Sequence, residues 1–173
     1  MKLKKIIYLF LVSGILFSCD DDEKKETKFN HLVEQFADIK VLRYKIPGFE
    51  ELSTKEKSLV YYLTQAGLAG RDIMWDQNYK HNLKIREALE NINATYTGDR
   101  ESDDFNAFKV YLKRVWFSNG IHHHYSNDKI KPAFTRDYFE TELLQKSSTE
   151  IAPEVVAVLF NDVDSKKVNK KEG

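Results

Sequence analysis

The chain has 173 residues with 27 basic and 27 acidic side chains, so its formal charge is zero. Lys2, Lys4 and Lys5 crowd the extreme N-terminus, which leaves a weakly acidic body with no basic face and excludes nucleic acid as a natural partner. Gly (7) and Pro (3) are scarce and aromatics plentiful, which favours one mainly α domain with a real core over a turn-rich β fold.

Residues 1–19 read as an export signal. Lys2 to Lys5 form a positive start, Ile6 to Val12 is apolar, and small residues follow. The run is too short for a stable transmembrane helix. Cys19 is the only cysteine, so no intramolecular disulfide forms. Leu16-Phe17-Ser18-Cys19 resembles a bacterial lipobox. That resemblance implies export, lipidation of Cys19 and anchoring to a bacterial membrane; the plainer alternative is an ordinary signal with an incidental cysteine. Residues 20–28 are a charged tether too poor in apolar residues to fold. Its acidic start, Asp20 to Glu23, resembles surface-export signals of Bacteroidota lipoproteins, which implies the outer-membrane surface.

The folded part begins at residue 29. Phe29 to Asp38 suggests a short helix, with Leu32, Val33 and Phe36 on one side. Ile39 to Ile46 alternates in the manner of a strand and stops at Pro47-Gly48. Ser53-Thr54-Lys55-Glu56 is a capping box. Behind it Leu59, Tyr62, Leu63 and Ala66 recur at helical spacing, reaching Ile73 and Met74, with an end near Asp76 to Tyr79. Gly67 and Gly70 are costly inside a helix and suggest a second backbone packed closely there. A second helix covers about Asn82 to Tyr96, with Leu83, Ala88, Leu89 and Ile92 on its apolar face, and Thr97-Gly98-Asp99 turns the chain. Ser102 caps a third, whose stripe of Phe105, Phe108, Leu112, Val115 and Trp116 belongs in a core. Asn119-Gly120 supplies a left-handed stop. Thr135 to Lys146 forms another helix with Phe139 and Leu143 inward, and Pro153 opens a buried run from Val155 to Phe160. From Asn161 onwards the chain is polar, and Lys166 to Gly173 is basic and completes no core element.

Reactive side chains gather where the third helix breaks: Val115 to Pro132 holds His122, His123, His124 and Tyr125 in a charged loop, the kind of place where function sits. Adjacent residues point different ways, so at most two of the three histidines, such as His122 and His124, converge on one metal. There is no H-E-x-x-H and no second cysteine. A metal site built by this chain alone is therefore not expected; one or two histidines should be buried and hydrogen-bonded, and one exposed. No G-x-S-x-G, P-loop or dinucleotide turn is present, and Cys19 lies in the signal, so no catalytic residues are assigned.

Phe36 to Pro132 resembles the N-terminal region of dipeptidyl peptidase III, a family of zinc-dependent peptidases. The resemblance rests on Leu52-Ser53-Thr54-Lys55-Glu56-Lys57, Tyr61-Tyr62-Leu63, the small residues Ala66, Gly67, Ala69 and Gly70, and Phe105 to Tyr111 with Val115, Gly120, Lys129 and Pro132. Trp116 to Tyr125 resembles the branch found in Bacteroides and its relatives. It implies that residues 29–173 are part of the N-terminal lobe of a two-lobed α+β peptidase, helical here, with a short strand near residues 39–46. The complete enzyme removes dipeptides from peptide N-termini. Its zinc is bound through H-E-x-x-x-H and a glutamate on a second helix, and these ligands and the catalytic glutamate are absent here. On this reading the chain holds no cofactor and is inactive alone. Asn119, His123, Tyr125 and Lys129 would approach the peptide substrate in the complete enzyme. Two other readings remain: a free-standing helical surface lipoprotein that binds peptide or a protein partner without catalysis, and a small metal-binding lipoprotein using His122 to His124.

Overall fold

The computed structural model describes residues 29–125 and 128–161. The export signal, Cys19, the tether and the polar tail after Asn161 lie outside the described residues. The fold is mainly helical with one small sheet.

The chain begins as a hairpin. Strands β1 (Leu32–Phe36) and β2 (Ile39–Leu42) pair antiparallel, with Phe36 opposite Ile39 and Leu32 opposite Leu42. Ala37 takes a left-handed φ of 48° to close the two-residue turn. The expected helix over Phe29 to Asp38 is thus replaced by a strand. Leu32 and Val33 are both exposed, so no buried helical face exists to reward the alternative, and cross-strand pairing decides. The hairpin is fastened by ion pairs from Lys113 to Glu34 and from Arg114 to Asp38, and the Lys113 ammonium lies 5.6 Å from the Phe36 ring centre.

Helix α1 (Thr54–Ala69) starts as its sequence dictates. The Glu56 carboxylate accepts from the Ser53 amide at 2.8 Å, and the Ser53 hydroxyl accepts from the Glu56 amide at 3.3 Å. The Ser53 hydroxyl also donates to the Glu56 carboxylate at 2.7 Å, and this bond, ahead of the one from the Ser53 amide, holds the Glu56 pKa below its usual value. Yet α1 buries none of its residues. After Gly70 the chain continues as α2 (Arg71–Asn78), where Trp75 is the first buried side chain.

The core is built by Trp75 of α2 together with the elements that follow it. Helix α3 (Asn82–Thr95) contributes Ile85, Leu89 and Ile92, and α4 (Asp103–Ser118) contributes Phe105, Phe108, Leu112 and Val115, all nearly inaccessible. The Phe105 ring stacks on Tyr96 with centres 4.8 Å apart. Phe134 joins Phe108, Tyr111, Phe139 and Phe160 in an aromatic cluster. Truncating a buried ring of this kind to Ala costs about 3–5 kcal/mol. Helix α5 (136–147) is wound as a π-helix over Tyr138–Leu144, where the sequence suggests a regular α-helix. It still buries Phe139 and Leu143 and ends at Ser148, whose φ is 52°. Helix α6 (Pro153–Phe160) has Pro in its first turn and buries Val155, Val156 and Leu159.

Candidate functional site

The loop after α4 is held in one shape by backbone bonds and by two asparagines from another part of the fold. Asn119 sits at φ 50°, ψ 42°, and the Gly120 amide donates back to the Val115 carbonyl at 3.0 Å, a Schellman-type closure. Asn82, only 1% exposed, reaches in from the start of α3. Its Nδ2 donates to the Trp75 carbonyl (3.1 Å) and the Asn119 carbonyl (3.4 Å), and its Oδ1 accepts from the Ile121 amide (3.2 Å). Asn78 Nδ2 donates to the same Asn119 carbonyl at 3.3 Å. One carboxamide thus ties α2, α3 and the loop together.

Gly120 is required twice over. Its φ is 149°, and a Cβ there would stand 2.2 Å from the Asn82 Nδ2. Only a residue without a side chain lets the loop approach Asn82 so closely.

Beyond Gly120 a short antiparallel ladder stiffens the loop. The Ile130 amide donates to Ile121 at 2.8 Å, His122 pairs with Lys129, and the His123 amide donates to Asp128 at 2.7 Å. The three histidines separate accordingly. His122 is buried, with its ring edge-on to Tyr79 at 5.2 Å. Tyr79 also meets His81 at 5.2 Å, and burial, then Lys80 and Lys84, push the His81 pKa down. His123 and His124 face solvent and stack on each other with centres 4.6 Å apart. The split is one buried and two exposed, and the pair that comes together is His123 with His124 rather than His122 with His124. Phe117 and Tyr125 extend the array, at 5.4 and 4.3 Å from the His124 ring.

A cleft of about 160 Å³ lies beneath this loop. Asn119 and His123 both line it, with His122, His124, Asn78, Asn82 and Met74. Tyr125 and Lys129 are not among its lining residues. Tyr125 is 83% exposed, with its amide donating to His123 Nδ1 at 3.3 Å. The Lys129 ammonium donates to the Asn161 carbonyl at 2.5 Å, at the end of α6. The four sequence candidates therefore divide into two that line the cleft and two that do not. Asn78 and Asn82 escape sequence reasoning, because nothing local marks a side chain that acts on a loop nearly forty residues away. The cleft offers amides and imidazoles, groups that bond a peptide backbone or a carboxylate. Among the described residues no three His, Cys, Asp or Glu side chains converge as metal ligands, and no helix is long and apolar enough to cross a membrane.

No protein-family model matches the chain, and no curated protein matches it.

Proposed function

We propose that this chain is the N-terminal portion of a zinc-dependent dipeptidyl peptidase, exported and lipid-anchored through Cys19, and without catalytic activity of its own. The observation that supports this reading is the loop. A segment carrying His123, His124 and Tyr125 is fixed by Asn82, Gly120 and a two-stranded ladder, so its exposed rings are presented on a rigid support. Preorganised aromatic and imidazole edges beside an amide-lined cleft suit one wall of a peptide-binding groove. A catalytic zinc needs three protein ligands, and the described residues bring no three His, Cys, Asp or Glu side chains together. No step through zinc is assigned to this chain.

The test is an assay of the purified chain on chromogenic dipeptide substrates, with and without added zinc. No release is expected. Chelator-sensitive release would overturn the reading, and so would DNA downstream of the gene that encodes no H-E-x-x-x-H in any frame.

A second reading, a helical surface lipoprotein that binds a partner, is favoured by one observation. Leu59, Tyr62 and Leu63 of α1 are 57–68% exposed.

A further inference from the structure

We propose that Asn119-Gly120 is a deamidation site held shut by the fold. The peptide group that must turn for Asn119 to cyclise onto the Gly120 nitrogen is clamped at both ends, and only opening of the loop releases it. The inference stands on the geometry of the loop and is independent of the peptidase reading.

This is the only Asn-Gly pair in the chain. Glycine has no side chain to hinder its own amide nitrogen, so Asn119 is the asparagine most open to cyclisation once its backbone is free. The Gly120 nitrogen, losing its proton, attacks the Asn119 Cγ. The N–Cγ bond forms, the Cγ–Nδ2 bond breaks, and the carboxamide nitrogen leaves with that proton as ammonia. Water then adds to either carbonyl of the cyclic imide and opens it. One opening gives aspartate at position 119. The other gives isoaspartate, in which the side-chain carbon joins the main chain and lengthens it. Water is the sole co-reactant, and no electrons are gained or lost.

The folded chain blocks the first step by geometry. Ring closure needs the Asn119 Cβ to eclipse the Gly120 nitrogen about the Cα–C bond, and a ψ of 42° holds the two apart. Correcting ψ means turning the peptide group between Asn119 and Gly120. Its N–H donates to the Val115 carbonyl at 3.0 Å, and its C=O accepts from Asn82 Nδ2 at 3.4 Å and Asn78 Nδ2 at 3.3 Å. The turn breaks all of these bonds, and the first of them also occupies the nucleophile. Gly120 is buried, so water replaces none of them until the loop opens. One glycine couples the two properties. The close approach of Asn82 leaves no room for a Cβ at position 120, so the residue that the latch demands is the residue that makes Asn119 labile. Isoaspartate lengthens the main chain at position 119, and the Gly120 and Ile121 amides then no longer both reach Val115 and Asn82. A loop that opens and reacts this way stays open. Aspartate keeps the backbone and places a carboxylate in the cleft that His123 and His124 also line.

The test ages the full chain at mildly alkaline pH and follows position 119 by mass spectrometry of the tryptic peptide 115–129, with fragmentation to separate isoaspartate from aspartate. The folded chain is expected to convert at least about tenfold more slowly than the chain held in guanidinium chloride, because local opening must precede each event. Asn82→Ala should speed conversion of the folded chain by about tenfold and Asn78→Ala by roughly threefold, the factors that a lost buried bond and a lost half-buried bond carry. Asn78 is only half-buried, so Asn78→Ala decides the matter should Asn82→Ala fail to fold. Val155→Ala trims the core on α6 and lies outside the cleft; it should leave the rate near that of the parent. In hydrogen exchange the Ile121 amide should be fast in the isoaspartate product and slow in Asn119→Asp. Conversion as fast in the folded chain as in denaturant would overturn the proposal. Parent-like rates in both asparagine variants would do the same. Equal acceleration by Val155→Ala would also overturn it, by placing control in global unfolding instead of the latch. A slow Ile121 amide in the isoaspartate product would refute the lasting opening of the loop.

Discussion

The Asn82 carboxamide spends both ends on the loop, and its burial leaves no water to replace it. Asn82→Ala would strand the buried Ile121 amide, while the Trp75 and Asn119 carbonyls keep the Tyr79 amide and Asn78 Nδ2 as donors. A buried group left unmade costs about 1–3 kcal/mol, so a loss of that size is expected in urea unfolding. Gly120→Ala should be at least as damaging, because it adds strain at φ 149° to a clash with Asn82. A stability within 0.5 kcal/mol of the parent for either variant, roughly the range of an ordinary surface change, would show that the latch does not hold the loop. Half of this pair is legible in the sequence. Asn119-Gly120 announces a left-handed stop by composition. Asn82 looks like any polar residue at a helix start, and only the folded chain brings it to the loop. Tyr111 is a second buried polar group, and its hydroxyl has no hydrogen-bond partner. Burial pushes its phenol pKa up. A raised folded-state value means that stability is complete below the unfolded value near 10 and declines as pH rises through and beyond it. Tyr111→Phe should therefore be no less stable than the parent at pH 7. It should also lose less stability between pH 9 and roughly pH 11, and equal slopes for the two proteins would refute this.

At the scale of elements, the same apolar pattern has opposite consequences in different helices. Leu89 on α3 is fully buried, while Leu59 on α1 is 57% exposed. Leu89→Ala should cost about 2–5 kcal/mol. Leu59→Ala should shift the main unfolding transition by no more than about 0.5 kcal/mol. Comparable losses from the two would mean that α1 packs against the core after all. Sequence periodicity cannot separate these cases, because it identifies a face without saying what covers it. Caps are more legible, since their partners are close in sequence: Ser53 with Glu56 and Ser102 with Phe105 both form as their spacing dictates. The hairpin is illegible for the opposite reason. Leu32, Val33 and Phe36 fit a helical spacing, and the decisive bonds, such as Arg43 N to His31 O at 2.8 Å, span twelve residues. The π-winding of Tyr138–Leu144 has no local signature in the sequence either, and we have no physical account of why this segment adopts it.

The molecule as a whole is lopsided. Every fully buried large side chain among the described residues lies between Trp75 and Leu159, while the hairpin and α1 contribute none. The hairpin is tied to α4 through exposed ion pairs from Lys113 and Arg114, which salt screens within about 8–10 Å. Helix α1 depends on its cap and on whatever covers its stripe, since an isolated helix of this length is marginal in water. Opening free energies should therefore fall into two tiers. In native-state hydrogen exchange at low protein concentration, the amides of α3 and α4 should be the slowest and those of α1 among the fastest. Raising the salt concentration should speed exchange in Gln35 to Lys40 without touching α3. Uniform protection across both tiers would mean that α1 draws its stability from contacts with the core.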